Sequence, residues 1–232
     1  MKRTVFWNDG MINGKENEIM GARKNVNIVI IGASGKTGQL VVQQALDAGH
    51  KVTAFMRTPE KLTLAHERLT IVQGDATDSE AVNSAVKGQD AVISCVGSNN
   101  GLGKTTILRE MAGTVAEAMA RNGVDRIVYM ASAGIDKEIP GMIGKMTMKL
   151  LGNVLEDHRN AVEVYKSYDF RWTIARPMGL TDKPYTGRYE ETLEGIPSGS
   201  KSISRADVAE FLVRAVSDDQ YIYQSVGLAS KE

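Results

Sequence analysis

Three glycines at three-residue spacing, Gly32, Gly35 and Gly38, enclose Ala33, Ser34, Lys36 and Thr37 in the clearest chemical signal of this sequence. Glycine permits a tight turn and a close approach of main chain to a ligand. Where such a turn opens a helix, backbone N–H groups point outward and the helix dipole favours an anion. The chemistry implied is the cradling of a pyrophosphate. The spacing is G-x-x-G-x-x-G, a departure from the commoner G-x-G-x-x-G dinucleotide pattern. Neither Lys36 nor Lys104 completes a G-x-x-x-x-G-K-[ST] loop, because Ile30 and Ser98 stand where the first glycine is required. Arg57 follows 19 residues after Gly38. NAD-selective sites carry a carboxylate near that place, whereas a guanidinium grips a 2′-phosphate with paired hydrogen bonds. The expected cofactor is therefore NADP(H), with Gly32, Ser34, Gly35, Lys36, Thr37 and Gly38 around its phosphates and Arg57 on the 2′-phosphate.

These residues need a strand before the loop and a helix after it. Ile28–Ile31 is a continuous β-branched run, as expected of a strand covered on both faces. Residues 39–48 repeat apolar positions at helical spacing, and Gly49 ends them. Further strands are expected over 51–56, 69–73, 91–96, 126–131, 172–175 and 224–227. Helices are expected over 79–86 with Ser79 as cap, 105–121 stopped by Gly123, 153–168, and 204–216 opening on Ser204 and Asp207. The alternation predicts an α/β, doubly wound Rossmann fold with a mostly parallel sheet and a small C-terminal substrate-side portion. Residues 25–232 read as one NAD(P)-binding domain. Residues 1–24 read as an N-terminal extension, either a flexible leader or a hairpin turning at Asn8-Asp9-Gly10.

Composition narrows the function classes. The 232 residues carry 28 Lys+Arg and 28 Asp+Glu, so no electrostatic footprint of a nucleic-acid or membrane-surface partner is expected. No apolar run reaches membrane-span length, and the first 24 residues lack the apolar core of a signal peptide. A single cysteine, Cys95, cannot form an internal disulfide, which suits a reducing cytoplasm, and its apolar strand marks it as an inert packing residue. The three histidines show no metal-ligand spacing, so no metal is expected.

The loop Gly32–Gly38, the strand end at Arg57, and the segments 74–78, 88–93 and 124–128 occur in a recognisable order. Together the chain resembles the atypical short-chain dehydrogenase/reductase group of NAD(P)H-binding, NmrA-like proteins, most closely its biliverdin-IXβ reductase and NADPH-flavin reductase members. The resemblance runs from about Val26 to Gly227. It implies cofactor contacts from Asp75 and Ala76 near the adenine, Val96 and Gly97 along the ribose and pyrophosphate, and Ala131 and Ser132 near the nicotinamide. It also implies that Arg176-Pro177-Met178-Gly179 helps enclose cofactor and substrate.

The Tyr-x-x-x-Lys dyad that ordinary short-chain dehydrogenases use as their acid is absent, since none of the seven tyrosines has a lysine four residues on. Hydride transfer to an isoalloxazine demands less, because the ring accepts the electron pair and takes its proton from water. The expected function is thus an NADPH-dependent reductase of a free flavin or similar planar acceptor, flavin being substrate and not prosthetic group. Ser132 and His158 are the candidate catalytic residues, with an exposed helix histidine as the plainer alternative for His158. Ser132, Gly134, Ile135, Arg176, Pro177, Met178 and Gly179 are candidate walls. Met142, Met146 and Met148 are expected to pack in the core, with an adaptable lid as the alternative. The competing functional reading is a non-catalytic NADP sensor that binds a protein partner. The sequence leaves the oligomeric state open.

Overall fold

The computed structural model describes residues 25–97, 101–198 and 200–231. The suggested hairpin at Asn8-Asp9-Gly10 lies outside them.

The fold starts from β1 (Asn27–Ile31), whose apolar run alternates between two cores. Ile28 and Ile30 point into one apolar cluster while Val29 and Ile31 point into another, which is why every position can be aliphatic. The chain then runs through α1 (Lys36–Asp47), β2 (Lys51–Met56), β3 (Leu69–Gln73), α2 (Ser79–Val86), β4 (Ala91–Ser94), α3 (Ile107–Asn122) and β5 (Arg126–Met130). After these come α4 (Gly141–Leu150), α5 (Gly152–Lys166), β6 (Arg171–Pro177), β7 (Gly179–Thr181), β8 (Tyr189–Thr192), β9 (Ser202–Ser204), α6 (Arg205–Ser217) and β10 (Gln224–Ser230). The main sheet has the order β3-β2-β1-β4-β5-β6-β10-β8, parallel throughout except for the antiparallel β10–β8 edge. This is the expected doubly wound α/β Rossmann fold. Helices α1 and α6 pack on one face, and α2, α3 and α5 on the other. The order reverses between β1 and β4, and their carboxyl ends open the crevice where ligands bind in such sheets.

Several local expectations change. The cap of α2 is Asp78, not Ser79: its carboxylate accepts hydrogen bonds from the Glu80 and Ala81 amides. Ser204 does cap α6, accepting from the Asp207 amide. The methionine segment folds as α4, and its side chains are not core: Met142 and Met146 are exposed, and only Met148 is half-buried against the main core. The small parallel pair β7–β9 forms a second sheet, and β8 closes one edge of the main one.

Candidate functional site

At the end of β1 the Gly32 amide donates to the Phe55 carbonyl (3.1 Å), and Gly32 turns with φ +84°. A Cβ on Gly32 would lie 3.0 Å from the Cys95 carbonyl carbon, so the turn can hold only glycine. Gly38 has another task. A Cβ there would sit 2.3 Å from the Gly32 carbonyl oxygen, so this glycine lets α1 pack onto the strand. Thr37 is buried as well. Both residues can therefore offer a ligand only their backbone amides. Gly35 caps α1 without a side-chain hydrogen bond, and no acidic residue occupies the first turn. By contrast, the amides that open α2, α3 and α6 are met by Asp78, Asp157 and Ser204. The first amides of α1 remain available to an anion.

Gly32, Ser34, Gly35, Arg57, Ala76, Val96 and Gly97 line one cleft of about 130 Å³. Arg57, at the end of β2, is half-exposed, with its guanidinium 3.8 Å from an Asp75 carboxylate oxygen. Asp75 in turn accepts from the Thr77 amide (3.0 Å) and hydroxyl (2.8 Å). Those two bonds, with the smaller attraction of Arg57, hold its carboxyl below the usual range. Asp75 thus sits as an anchor beside Arg57. Lys36 does not join Arg57 in one positive patch: its ammonium is 2.6 Å from Asp182, and it is not among this cleft's walls.

Val96 and Gly97 also line a second, larger chamber of about 900 Å³, so the two spaces meet at the end of β4. Ala131, Ser132 and Ala133 from the end of β5, and Pro177, Met178 and Gly179 from the end of β6, line the chamber on one side. Ile139, Gly141, Met142, Gly144, Thr147 and Leu151, on and around α4, line it on the other, so of the three segment methionines Met142 reaches the chamber. The Ser132 hydroxyl donates to the Ala133 carbonyl (3.1 Å). His158 lines the chamber too, but it is 7% exposed and not a surface helix residue. Its Nδ1 lies 2.8 Å from the Tyr129 hydroxyl, and burial pushes its pKa down to about 4. It stands as a neutral imidazole at pH 7. Burial likewise holds the Tyr129 hydroxyl well above its ordinary range.

Three of the expected walls fall behind the chamber. Arg176 is buried and paired with Glu138 at 2.6 Å, while Glu138 also accepts from the amides of Gly134 (3.0 Å) and Asp136 (3.0 Å). Arg176 also donates to the Ser225 carbonyl (3.1 Å), so it ties the loop after β5 to β6 and β10 and meets no ligand. Gly134 and Ile135 are buried in that clamped loop. Cys95 is buried, its thiol pushed up to about 12 by desolvation, in keeping with an inert packing residue. Sequence reasoning missed the α4 wall and the cationic pair Lys201 and Arg205, both of which line the chamber. A lysine and an arginine flanking three residues carry no signal until the fold turns them toward a cavity.

The residues fit a dinucleotide on two glycines that the fold does not itself require. Gly97 has no positive φ, and a Cβ there would meet nothing within 4 Å among the described residues. Gly35 is at φ −71° with only ordinary contacts. Both face the cleft, where a side chain would fill ligand space.

The profile of a family described as NAD(P)H-binding matches residues 32–219. A chloroplastic protein of Arabidopsis thaliana without a characterised activity is 30% identical, aligning with 99% of this chain and 86% of its own. A short-chain dehydrogenase/reductase from Veillonella parvula, solved in complex with NADP, superposes with a TM-score of 0.73 at 22% identity, covering 88% of this chain and 94% of that one. The anaerobilin reductase ChuY of Escherichia coli O157:H7 superposes with a TM-score of 0.75 at 21% identity, covering 89% and 98%. At those identities the likeness to both structures is one of fold. Among the described residues no helix is long and apolar enough to cross a membrane.

Proposed function

This chain belongs to the NAD(P)H-binding family, and from that premise we propose an NADPH-dependent reductase that transfers hydride to a free flavin or a similar planar acceptor. The observation that carries the proposal is the chamber beyond Gly97. It is wide, its walls are largely apolar, and no tyrosine, aspartate or glutamate is among the described residues lining it. Reduction of an isolated carbonyl would need an acid at the developing alkoxide. A conjugated ring spreads that charge and takes its proton from water, so positioning alone accomplishes most of the work.

When bound, NADPH supplies the hydride. The residues of this chain bind and orient it. The amides opening α1 meet the pyrophosphate, and Arg57, steadied by Asp75, selects the 2′-phosphate. The strand ends Ala131–Ala133 and Pro177 form the wall for the nicotinamide, while Ile139, Leu151 and Met178 offer an apolar surface to the facing ring. Ser132 and His158 act here as uncharged hydrogen-bonding groups. An anaerobilin reductase shares this fold, which supports a reductase reading. The single buried cysteine suits a reducing compartment such as the cytoplasm.

The test is steady-state NADPH oxidation with FMN, riboflavin and a quinone, beside NADP⁺ binding measured by calorimetry. Turnover with a flavin and preference for NADPH over NADH are expected. Tight NADP⁺ binding without turnover of any acceptor would replace this reading with a regulatory sensor.

A further inference from the structure

The chamber changes character across its width. The wall built by α4 and the preceding loop is largely apolar, whereas the opposite rim carries Lys201 and Arg205 on either side of the short strand β9. Lys201 is exposed and makes no ion pair among the described residues. Arg205 is bridged to Asp182, which also accepts from Lys36 at 2.6 Å. The Asp182 side chain is 60% exposed, so this carboxylate is a solvated counter-ion that another anion can replace with little desolvation cost. Arg205 and Lys36 therefore share a single carboxylate, and Lys201 has none among the described residues, in a protein whose total charge is zero. A neutral planar ligand would fill the apolar part and leave this charge unused.

We infer that the acceptor carries an anionic substituent, a phosphate or a carboxylate, which Lys201 and Arg205 hold at the chamber rim after displacing Asp182 from Arg205. The inference rests on the proposed reductase reading and specifies its substrate class: a planar conjugated body for the apolar wall and an anion for the rim. The Arg205 fork matches either oxyanion bidentately, and Lys201 adds a mobile point charge.

The test compares FMN with riboflavin, which share one ring and differ in the phosphate. Their dissociation constants are read by flavin fluorescence with NADP⁺ saturating, in the full-length protein. FMN is expected to bind at least tenfold tighter. Lys201→Met and Arg205→Gln should each shrink the riboflavin-to-FMN ratio of dissociation constants about tenfold. Asp182→Asn should widen it, because the competing carboxylate is gone, and this gain answers any concern that a loss reflects misfolding. A carboxyalkyl isoalloxazine distinguishes the two anion sources: binding as tight as FMN marks a charge-reading site, and preference for FMN alone marks a phosphate site. A ratio near one in the wild type, or one that none of the three variants changes, overturns the inference. So does a loss of NADP⁺ affinity in Arg205→Gln with the ratio preserved, since that puts Arg205 on the cofactor. Absence of NADPH oxidation with both flavins rejects the reductase reading instead, while the binding ratios still decide whether the anion rim exists.

Discussion

Arg57 and His158 show how far a single residue can be read from its place in the chain. Arg57 stands at the end of a strand whose bounds, Lys51–Met56, follow directly from its apolar pattern, and it reaches the cleft as expected. Arg57→Asp should raise the dissociation constant for NADPH by one to two orders of magnitude and leave that for NADH within a few-fold, read by titration of nucleotide fluorescence. Equal effects on both nucleotides would remove Arg57 from the 2′-phosphate. His158 was legible as a candidate but not as a neutral one, because its burial comes from neighbours far along the chain, Tyr129 among them. A pKa near 4 in the fold against about 6.5 in the unfolded chain means that the unfolded state binds more protons between those values. Stability should therefore fall as pH drops from about 6.5 toward 4, by up to about 3 kcal/mol from this residue. Denaturant melts at pH 7 and pH 4.5 check the sign, and His158→Phe should flatten the difference. No step in turnover between pH 6 and 8 is expected from His158.

At the scale of elements, helix and strand positions were legible and their ends less so. A sequence can offer two capping residues in succession, as Asp78 and Ser79 do, and only the backbone angles choose between them: Asp78 is extended and its carboxylate reaches two amides. The N-terminus of α3, expected at 105 and found at Ile107, is only partly local: Thr105 accepts from the Ile107 amide (3.1 Å). Thr106 caps it without a side-chain bond, and Asp157 from α5 accepts from the amides of Leu108 (3.1 Å) and Arg109 (3.2 Å). Asp157→Ala would leave the buried Leu108 amide and the partly buried Arg109 amide without this acceptor, and should cost about 1–3 kcal/mol in urea unfolding. The helix α4 escaped notice for the opposite reason. Its Met146 and Leu150 are exposed away from the chamber, and Met142, though exposed, lines the chamber with Gly144 and Thr147, so hydrophobicity there does not mark the buried side.

For the whole molecule, the decisive feature is that two clefts share one wall at Val96 and Gly97. A Cβ at Gly97 meets nothing within 4 Å among the described residues, so Gly97→Val should keep the melting temperature within a few degrees yet weaken NADP⁺ binding more than tenfold. Calorimetry and thermal melts together separate that result from misfolding. The architecture itself was written in the chain: a β-branched run that serves two cores, followed by glycines at a helix start, has few ways to fold other than as the first unit of a doubly wound sheet. The phosphate turn and Arg57 were legible because each depends on residues close by in sequence. The acceptor side was not. Arg176 was expected as a chamber wall, but Glu138, 38 residues away, draws it into a buried pair, and Lys201 and Arg205 carry no signal until the fold brings them to the chamber. Local backbone geometry and periodic burial act over a few residues and can be read along the chain. Which side chains share a cavity, and which charges find partners, depends on contacts between distant segments, and only the packed tertiary structure decides them.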